Sequence, residues 1–240
     1  MKIISIYFIS LLFIISGRTY LAAQDTVYIP LKVRIAAEVS GPIQYFFDKN
    51  ILITEGNISV DIHEKKSLFA GAGYVDYNYS QEKYDYTVKG SFFKAGMDFN
   101  LMGPKKSQGK FFTGIGLHYG ISSYRAEVPL FRTENQWGPV EASVPPTSGI
   151  AHFFEATPSV RAELFRNVSI GWNINIRVLL KNNTDSDLKM VYLPGFGDTS
   201  KKVRTGLGYF LTWNIPFRTK RVIILPPPPE EEEEMTTVPQ

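Results

Sequence analysis

The sequence predicts an all-β fold: an eight-stranded antiparallel up-and-down transmembrane β-barrel with long outer loops and short periplasmic turns. Three observations predict it. Apolar residues recur at every second position in eight separate runs, the links between runs are short and long in strict alternation, and an apolar leader precedes the first run. Period two is the mark of a strand with two unlike faces. Sorting of links by length is the habit of barrels whose turns lie on one side of a membrane and whose loops lie on the other.

The leader comes first. Lys2 supplies a positive end, Ile3 to Ile15 is apolar, and Leu21-Ala22-Ala23 before Gln24 is a small-residue cleavage site. Residues 1–23 therefore read as a signal peptide. The apolar run is shorter than the roughly 20 residues a spanning helix needs, and Gly17 and Arg18 interrupt it. The mature barrel is expected over 24–217, with both termini periplasmic because the strand count is even.

The runs follow in order. Val33, Ile35, Ala37 and Val39 alternate with Arg34, Ala36, Glu38 and Ser40; Ile58, Val60 and Ile62 alternate with Asn57, Ser59 and Asp61. Leu68 to Tyr79 is rich in Gly, Ala and Tyr, and its facing is ambiguous. Phe93, Ala95, Met97, Phe99 and Leu101 are set against Lys94, Gly96 and Asp98, and Thr113, Ile115, Leu117, Tyr119 and Ile121 against Gly114, Gly116, His118 and Gly120. In the next run Phe154, Ala156, Val160, Ala162 and Leu164 oppose Glu155, Thr157, Ser159, Arg161 and Glu163. Pro158 within it cannot donate to a ladder and points to a bulge or weak pairing. The last two runs, Asn167 to Leu180 and Val203 to Pro216, are the most regular. The second of them fits the roughly 9 to 11 residues of a tilted spanning strand.

The short links are His63 to Ser67, Gly103 to Lys110 and Phe165 to Asn167. The long ones are Gln44 to Glu55, Ser80 to Lys89, Ser123 to Gly149 and Lys181 to Lys202. In a soluble sandwich the apolar faces would meet in a core. Here the opposite face combines glycines with charge, which suits a crowded lumen better than a solvated surface. Mean hydropathy of -0.10 does not speak against a barrel, whose apolar residues are diluted by alternation.

Composition excludes several functions. The absence of cysteine removes disulfides, thiolate metal sites, a cysteine nucleophile and a lipidated anchor. A formal charge of +3 and a pI near 8.9 are too mild to imply nucleic acid. Three scattered histidines make no metal constellation, and no cofactor motif is present. No catalytic, cofactor-binding or metal residue is assigned. A lipid-modifying enzyme would have to use Ser148, His152 and Glu155, a spacing that matches no defensible signature.

The lumen is expected to hold Arg34, Glu38, Lys94, Asp98, Glu155, Arg161, Glu163, Arg177 and Arg204 as a structural ion-pair cluster. An eight-stranded barrel is only wide enough for side chains, and buried charges must pair. Trp172, Trp213, Tyr74 and Tyr119 are the expected aromatic girdle. Partner contacts are expected of the Pro-rich loop, through Phe131 and Trp137, and of the β-prone run Val222, Ile223, Ile224 and Leu225. That run belongs to a Pro/Glu-rich periplasmic tail over 218–240 whose composition is that of a disordered segment. Its neighbours are outer-membrane lipid and lipopolysaccharide, together with other envelope proteins.

The Ser40-Gly41-Pro42-Ile43 step, the Gly71-Ala72-Gly73-Tyr74 arm and the Gly114-x-Gly116 strand resemble the small, functionally uncharacterised outer-membrane β-barrels of Bacteroidota. The architecture resembles OmpA/OmpX-type barrels. The resemblance implies a cell outer membrane location and a barrel fold, and carries no active-site residue with it. The expected role is a non-enzymatic structural or accessory subunit of a larger envelope complex, for example outer-membrane protein assembly or secretion machinery. The alternatives are a lipid-modifying enzyme and a surface binding protein acting through its loops.

Overall fold

The computed structural model describes residues 25–81, 84–136, 138–184 and 190–224. The leader, Trp137 and the chain from Leu225 onward lie outside them. Tyr28–Lys220 forms one compact unit, and the stretches up to Val27 and from Arg221 fall in a second.

The strands are β1 (Asp25–Glu38), β2 (Ile51–His63), β3 (Lys66–Gln81), β4 (Tyr84–Asn100), β5 (Phe111–Asn135), β6 (Gly138–Phe165), β7 (Val168–Thr184) and β10 (Val203–Ile224). They close into a ring in the order β1-β10-β7-β6-β5-β4-β3-β2. The pairs from β1/β2 through β7/β10 are antiparallel. Each of the eight runs read from the sequence coincides with a strand or lies within one, to within two residues at its ends.

One end of the ring carries short turns. Residues 64–65 join β2 to β3, Asn167 turns at φ 68° between β6 and β7, and α2 (Pro104–Ser107) lies between β4 and β5. The other end carries the long excursions, and these differ in kind from coil. Ser80 to Lys89 and Ser123 to Gly149 are ladder almost throughout, with Tyr124 opposite Gly149 and Asn135 opposite Gly138. Three of the four prolines of the second stretch sit where the ladder breaks register, Pro139 being paired opposite Glu134. Pro129 lies between Val128 and Phe131, and Pro145 and Pro146 between the pairs Val128/Val144 and Ala126/Thr147. Proline is tolerated at such breaks because no N–H is needed there. Gln44 to Glu55 is the end of α1 (Ser40–Phe47) and the start of β2, and Lys181 to Lys202 contains the two-residue strands β8 (Tyr192–Leu193) and β9 (Gly197–Asp198).

Two further expectations are corrected or refined. β10 does not stop at Phe217 but runs to Ile224, so Arg218 to Ile224 is strand and not tail. At Pro158 the β6/β7 ladder passes from Ala156/Ile176 to Ser159/Asn173 in one register, leaving Thr157 and Pro158 unpaired on that side. The proline weakens the pairing without a bulge.

Facing follows the alternation. In β3, Ser67, Gly71 and Val75 are buried while Leu68 and Tyr74 are exposed, which settles the ambiguous strand. Outside lies a belt of exposed apolar side chains drawn from every wall strand, among them Ile35, Ile58, Leu68, Phe93, Leu117, Ile170 and Leu207. Inside there are two storeys. Towards the short turns the inward residues are mostly charged and polar, with the rings of Phe69 and Phe112 among them. Towards the long excursions they are Tyr86, Val88, Tyr124, Ala126, Val128, Ala151 and Phe153, closed over by Met190, Leu193 and Phe196 from the β8/β9 segment.

Candidate functional site

The lower storey of the interior is the chemically richest place in the molecule. β6 points Glu155 inward, where it is 1% exposed and collects partners from several strands. Lys94 Nζ lies 3.2 Å and His118 Nδ1 3.3 Å from Glu155 Oε1, while Arg177 Nε donates to Oε2 at 2.6 Å. Lys94 also meets Glu55 at 2.5 Å, and His118 Nε2 meets Asp98 at 3.0 Å. The His118 ring stacks on Phe69 at 3.9 Å. Gly116 makes this fit possible, since a Cβ there would stand 2.7 Å from the ring nitrogen.

Nearer the short turns a second set forms. Arg34 grips Asp61 with both guanidinium nitrogens at 2.6 Å, the bidentate geometry that makes such pairs strong. Ser67 Oγ and the Lys32 backbone N–H also donate to Asp61. Lys32 Nζ pairs with Glu163 at 2.5 Å and donates to the Gly109 carbonyl, pinning the β4–β5 turn beneath the lumen.

Of the nine residues expected in the cluster, Arg34, Lys94, Asp98, Glu155, Glu163 and Arg177 are brought into ion pairs inside. Three are not. Glu38 caps α1, its carboxylate accepting the Ser40 and Gly41 N–H groups at 2.8 Å. The helix starts two residues after Glu38, so its orphan N–H groups compete for that carboxylate. Arg204 stays half-exposed and meets Asp198 of β9 at 3.5 Å, because the β8/β9 segment folds back beside it. Asp198 itself is held below the usual carboxylate range by the Ser200 N–H, against a smaller opposing effect of burial. Arg161 faces the interior with its guanidinium 4.8 Å over the Phe112 ring.

Lys32, Glu55 and Asp61 were not anticipated as members. Asp61 had the right parity and Lys32 lies one alternation before the run that was read. Glu55 ends the stretch Gln44 to Glu55, which reads as a loop in the sequence.

The girdle residues sit at two levels. Trp213, opposite Val168, is near the short turns, with exposed Phe111, Phe165 and Phe217 at the same end, and Trp172 is opposite Tyr209. Tyr74 and Tyr119 lie eight residues beyond the starts of β3 and β5, about 26 Å along the strand at ~3.3 Å per residue. All four point outward. Phe131 is exposed on the β5/β6 hairpin, and Val222, Ile223 and Ile224 are strand residues of β10. Ser148, His152 and Glu155 do not assemble: His152 is on the outward face of β6, bonded to Tyr119 Oη at 2.8 Å, and Glu155 is on the inward face. No helix of the described residues is long and apolar enough to cross a membrane, and no group of three or more His, Cys, Asp or Glu suits a metal among them.

Residues 1–220 match the family described as "Domain of unknown function (DUF6048)". The chain belongs to that family. Among solved structures, this DUF6048 chain is similar to the crystal structure of Acinetobacter baumannii CarO2, with 11% identity, 79% of this chain and 99% of that one covered, and a TM-score of 0.36. It is similar to Acinetobacter baumannii CarO at 12% identity, covering 79% and 98%, with a TM-score of 0.37. For Neisserial surface protein A (NspA) the values are 13%, 81%, 100% and 0.33. No curated protein matches the chain.

Proposed function

We propose that this DUF6048 protein is an integral outer-membrane barrel, with both termini periplasmic, that acts without enzymatic chemistry as a structural or accessory subunit of a larger cell-envelope complex. The observation that carries the reading is the inversion of the usual order: a closed ring wears its apolar side chains outside and keeps its charges inside. Exposed rings such as Phe93 (65%) and Trp213 (59%) on every side of the ring are costly in water and at home in lipid. The interior supports a subunit role over a pore. Ion pairs fill the lower storey and Met190, Leu193 and Phe196 seal the upper one.

A second reading, surface binding, is favoured by one feature. β5 and β6 are the longest strands, 25 and 28 residues, and their hairpin carries exposed Phe131 and Val140. Mild-detergent extraction followed by identification of co-purifying proteins tests the subunit role, and heat-modifiable gel mobility tests the barrel in the membrane fraction. Recovery of the protein alone, with loss of cell-surface binding on excising Ser123 to Gly149, would favour the second reading. A water-soluble protein of unchanged mobility would end both.

A further inference from the structure

Every carboxylate of the lower storey is already engaged. Glu55 is held by Lys94, Glu155 by Lys94, Arg177 and His118, and Asp98 by His118. Asp61 is held by Arg34, and Glu163 by Lys32. One inward cation makes no direct ion pair among the described residues. Arg161 has Asp98 and Asp61 within electrostatic range and Arg34 as a like-charged neighbour, yet its only close partner is the Phe112 ring. A guanidinium carries five N–H donors and cannot shed its proton, and an unpaired charge inside a protein is expensive.

Two cavities adjoin it. A cavity of about 70 Å³ lies on one side of Arg161, lined also by Asn173, Thr157 and Thr212 and by the ion-paired Glu55, Lys94, Asp98, His118 and Glu155. A second, of about 30 Å³, runs from Arg161 to Lys110 and Glu64 at the short-turn rim. The larger one has room for several waters or one small oxyanion. Asn173 lies on the same inner wall, where its neighbour across the ladder is Ser159 and Arg161 is opposite Gly171. Its Oδ1 is buried without a hydrogen-bond partner, an acceptor that an O–H group at this cavity would satisfy.

We propose that Arg161 anchors a luminal site for one small oxyanion, a carboxylate or a phosphate, reached from the short-turn end past Lys110. The guanidinium fork takes two oxygens of the anion, the geometry in which arginine binds carboxylate and phosphate best. Asn173 Oδ1 accepts from the P–O–H of hydrogen phosphate, or from a water that bridges it to a carboxylate. The phosphate could arrive free or as a lipid headgroup, and the chemistry of recognition is the same.

Full-length protein in a phosphate-free, non-ionic detergent is titrated with sodium phosphate, sodium acetate and, separately, a soluble short-chain phosphatidic acid, at ionic strength held constant with sodium chloride. The readout is the unfolding temperature. Wild type should show a saturable rise with phosphate or acetate, and R161Q should need about tenfold more anion or respond not at all. R161K keeps the charge without the fork and should fall between, which guards against a R161Q that fails to fold. N173A should weaken binding less than R161Q. Tighter binding of phosphatidic acid than of phosphate identifies a lipid headgroup as the source, and equal or weaker binding a free anion. No saturable rise in wild type with any of the three ligands, or an identical response in R161Q, overturns the site.

Discussion

Above Ser122 the barrel is filled by rings and aliphatic groups, Phe153, Tyr86, Tyr124 and the incoming Leu193 and Phe196, whereas below it the same cross-section is filled by Glu155, Lys94, Arg177 and His118. The outer wall changes with the filling: it is apolar around the lower storey, as at Phe93, Leu117 and Tyr119, and polar around the upper one, where Lys89, Ser123 and Arg125 face out. The fillings also differ in where they come from. The rings converge from neighbouring strands and from a loop that enters the mouth, and the Phe153 ring occupies the room that a Cβ at Gly120 would need. Some charges also come from adjacent strands, His118 and Arg177 lying directly opposite Glu155. Lys94, however, reaches Glu155 and Glu55 past an intervening strand and Lys32 of β1 reaches Glu163 of β6, so those pairs are also struts. Arg177 touches both storeys, holding Glu155 and donating to the Phe196 carbonyl at 3.5 Å.

This contrast makes unequal demands on substitutions. The largest effect is expected at Glu155: alanine there strands Lys94, Arg177 and His118 together and should cost the upper end of ~3–5 kcal/mol, read as a shift in the urea midpoint of the folded barrel in detergent. Phe153→Ala should cost slightly less, about 3–4 kcal/mol, by transfer and cavity terms alone. If Phe153→Ala proves the more damaging, the lower storey is wetter than its ion pairs imply. Next comes a test of compensation. Lys32→Met alone leaves Glu163 unpaired and should cost about 3 kcal/mol, while Lys32→Met with Glu163→Leu should return to within ~1 kcal/mol of wild type. No paired change should rescue Phe153→Ala in this way without restoring volume.

The smallest effect is a pH dependence at the short-turn rim. Burial pushes the Glu64 carboxyl up, but the Lys220 ammonium at 2.7 Å and His63 outweigh it and hold the group below its ordinary value of 4.5. Its contribution is therefore complete above pH 4.5 and disappears as pH falls through the lower folded value. Glu64→Gln should flatten that acid limb by less than about 1 kcal/mol, since Lys220 is partly exposed. Unfolding midpoints measured across the acid range compare the two directly, and a limb of equal depth in both proteins assigns it elsewhere.

The lower storey was largely legible in the sequence because it is written in parity: Glu155, Arg161 and Glu163 stand at alternate positions opposite Phe154, Ala162 and Leu164. The upper storey was not, for a physical reason. Above Ser122 the alternation continues but inverts, with Tyr84, Tyr86 and Val88 set between Asp85, Thr87 and Lys89, and Tyr124, Ala126 and Val128 between Ser123, Arg125 and Glu127, so it no longer matches the apolar-outside pattern of the lower runs. Prolines nearby then make the stretch read as loop. Glu38 and Arg204 were assigned by parity alone, and parity says nothing of a helix start or a returning segment that offers a nearer partner. The β8/β9 segment left no signal of entering the barrel, since Leu193-Pro194-Gly195-Phe196 is also the composition of an ordinary turn.

The ring order has a consequence in time. Every seam but one joins strands that follow each other along the chain once the β8/β9 segment is passed over, so those seams can zip locally. The remaining seam joins β1 to β10, the first wall strand made to the last. It cannot form until nearly the whole chain is available, and loop closure of that span is the slowest kind of contact to make. Until then the protein is a curved sheet with two bare edges, able to pair with any strand it meets. A nascent chain of this design must be shielded until its final strand is in place.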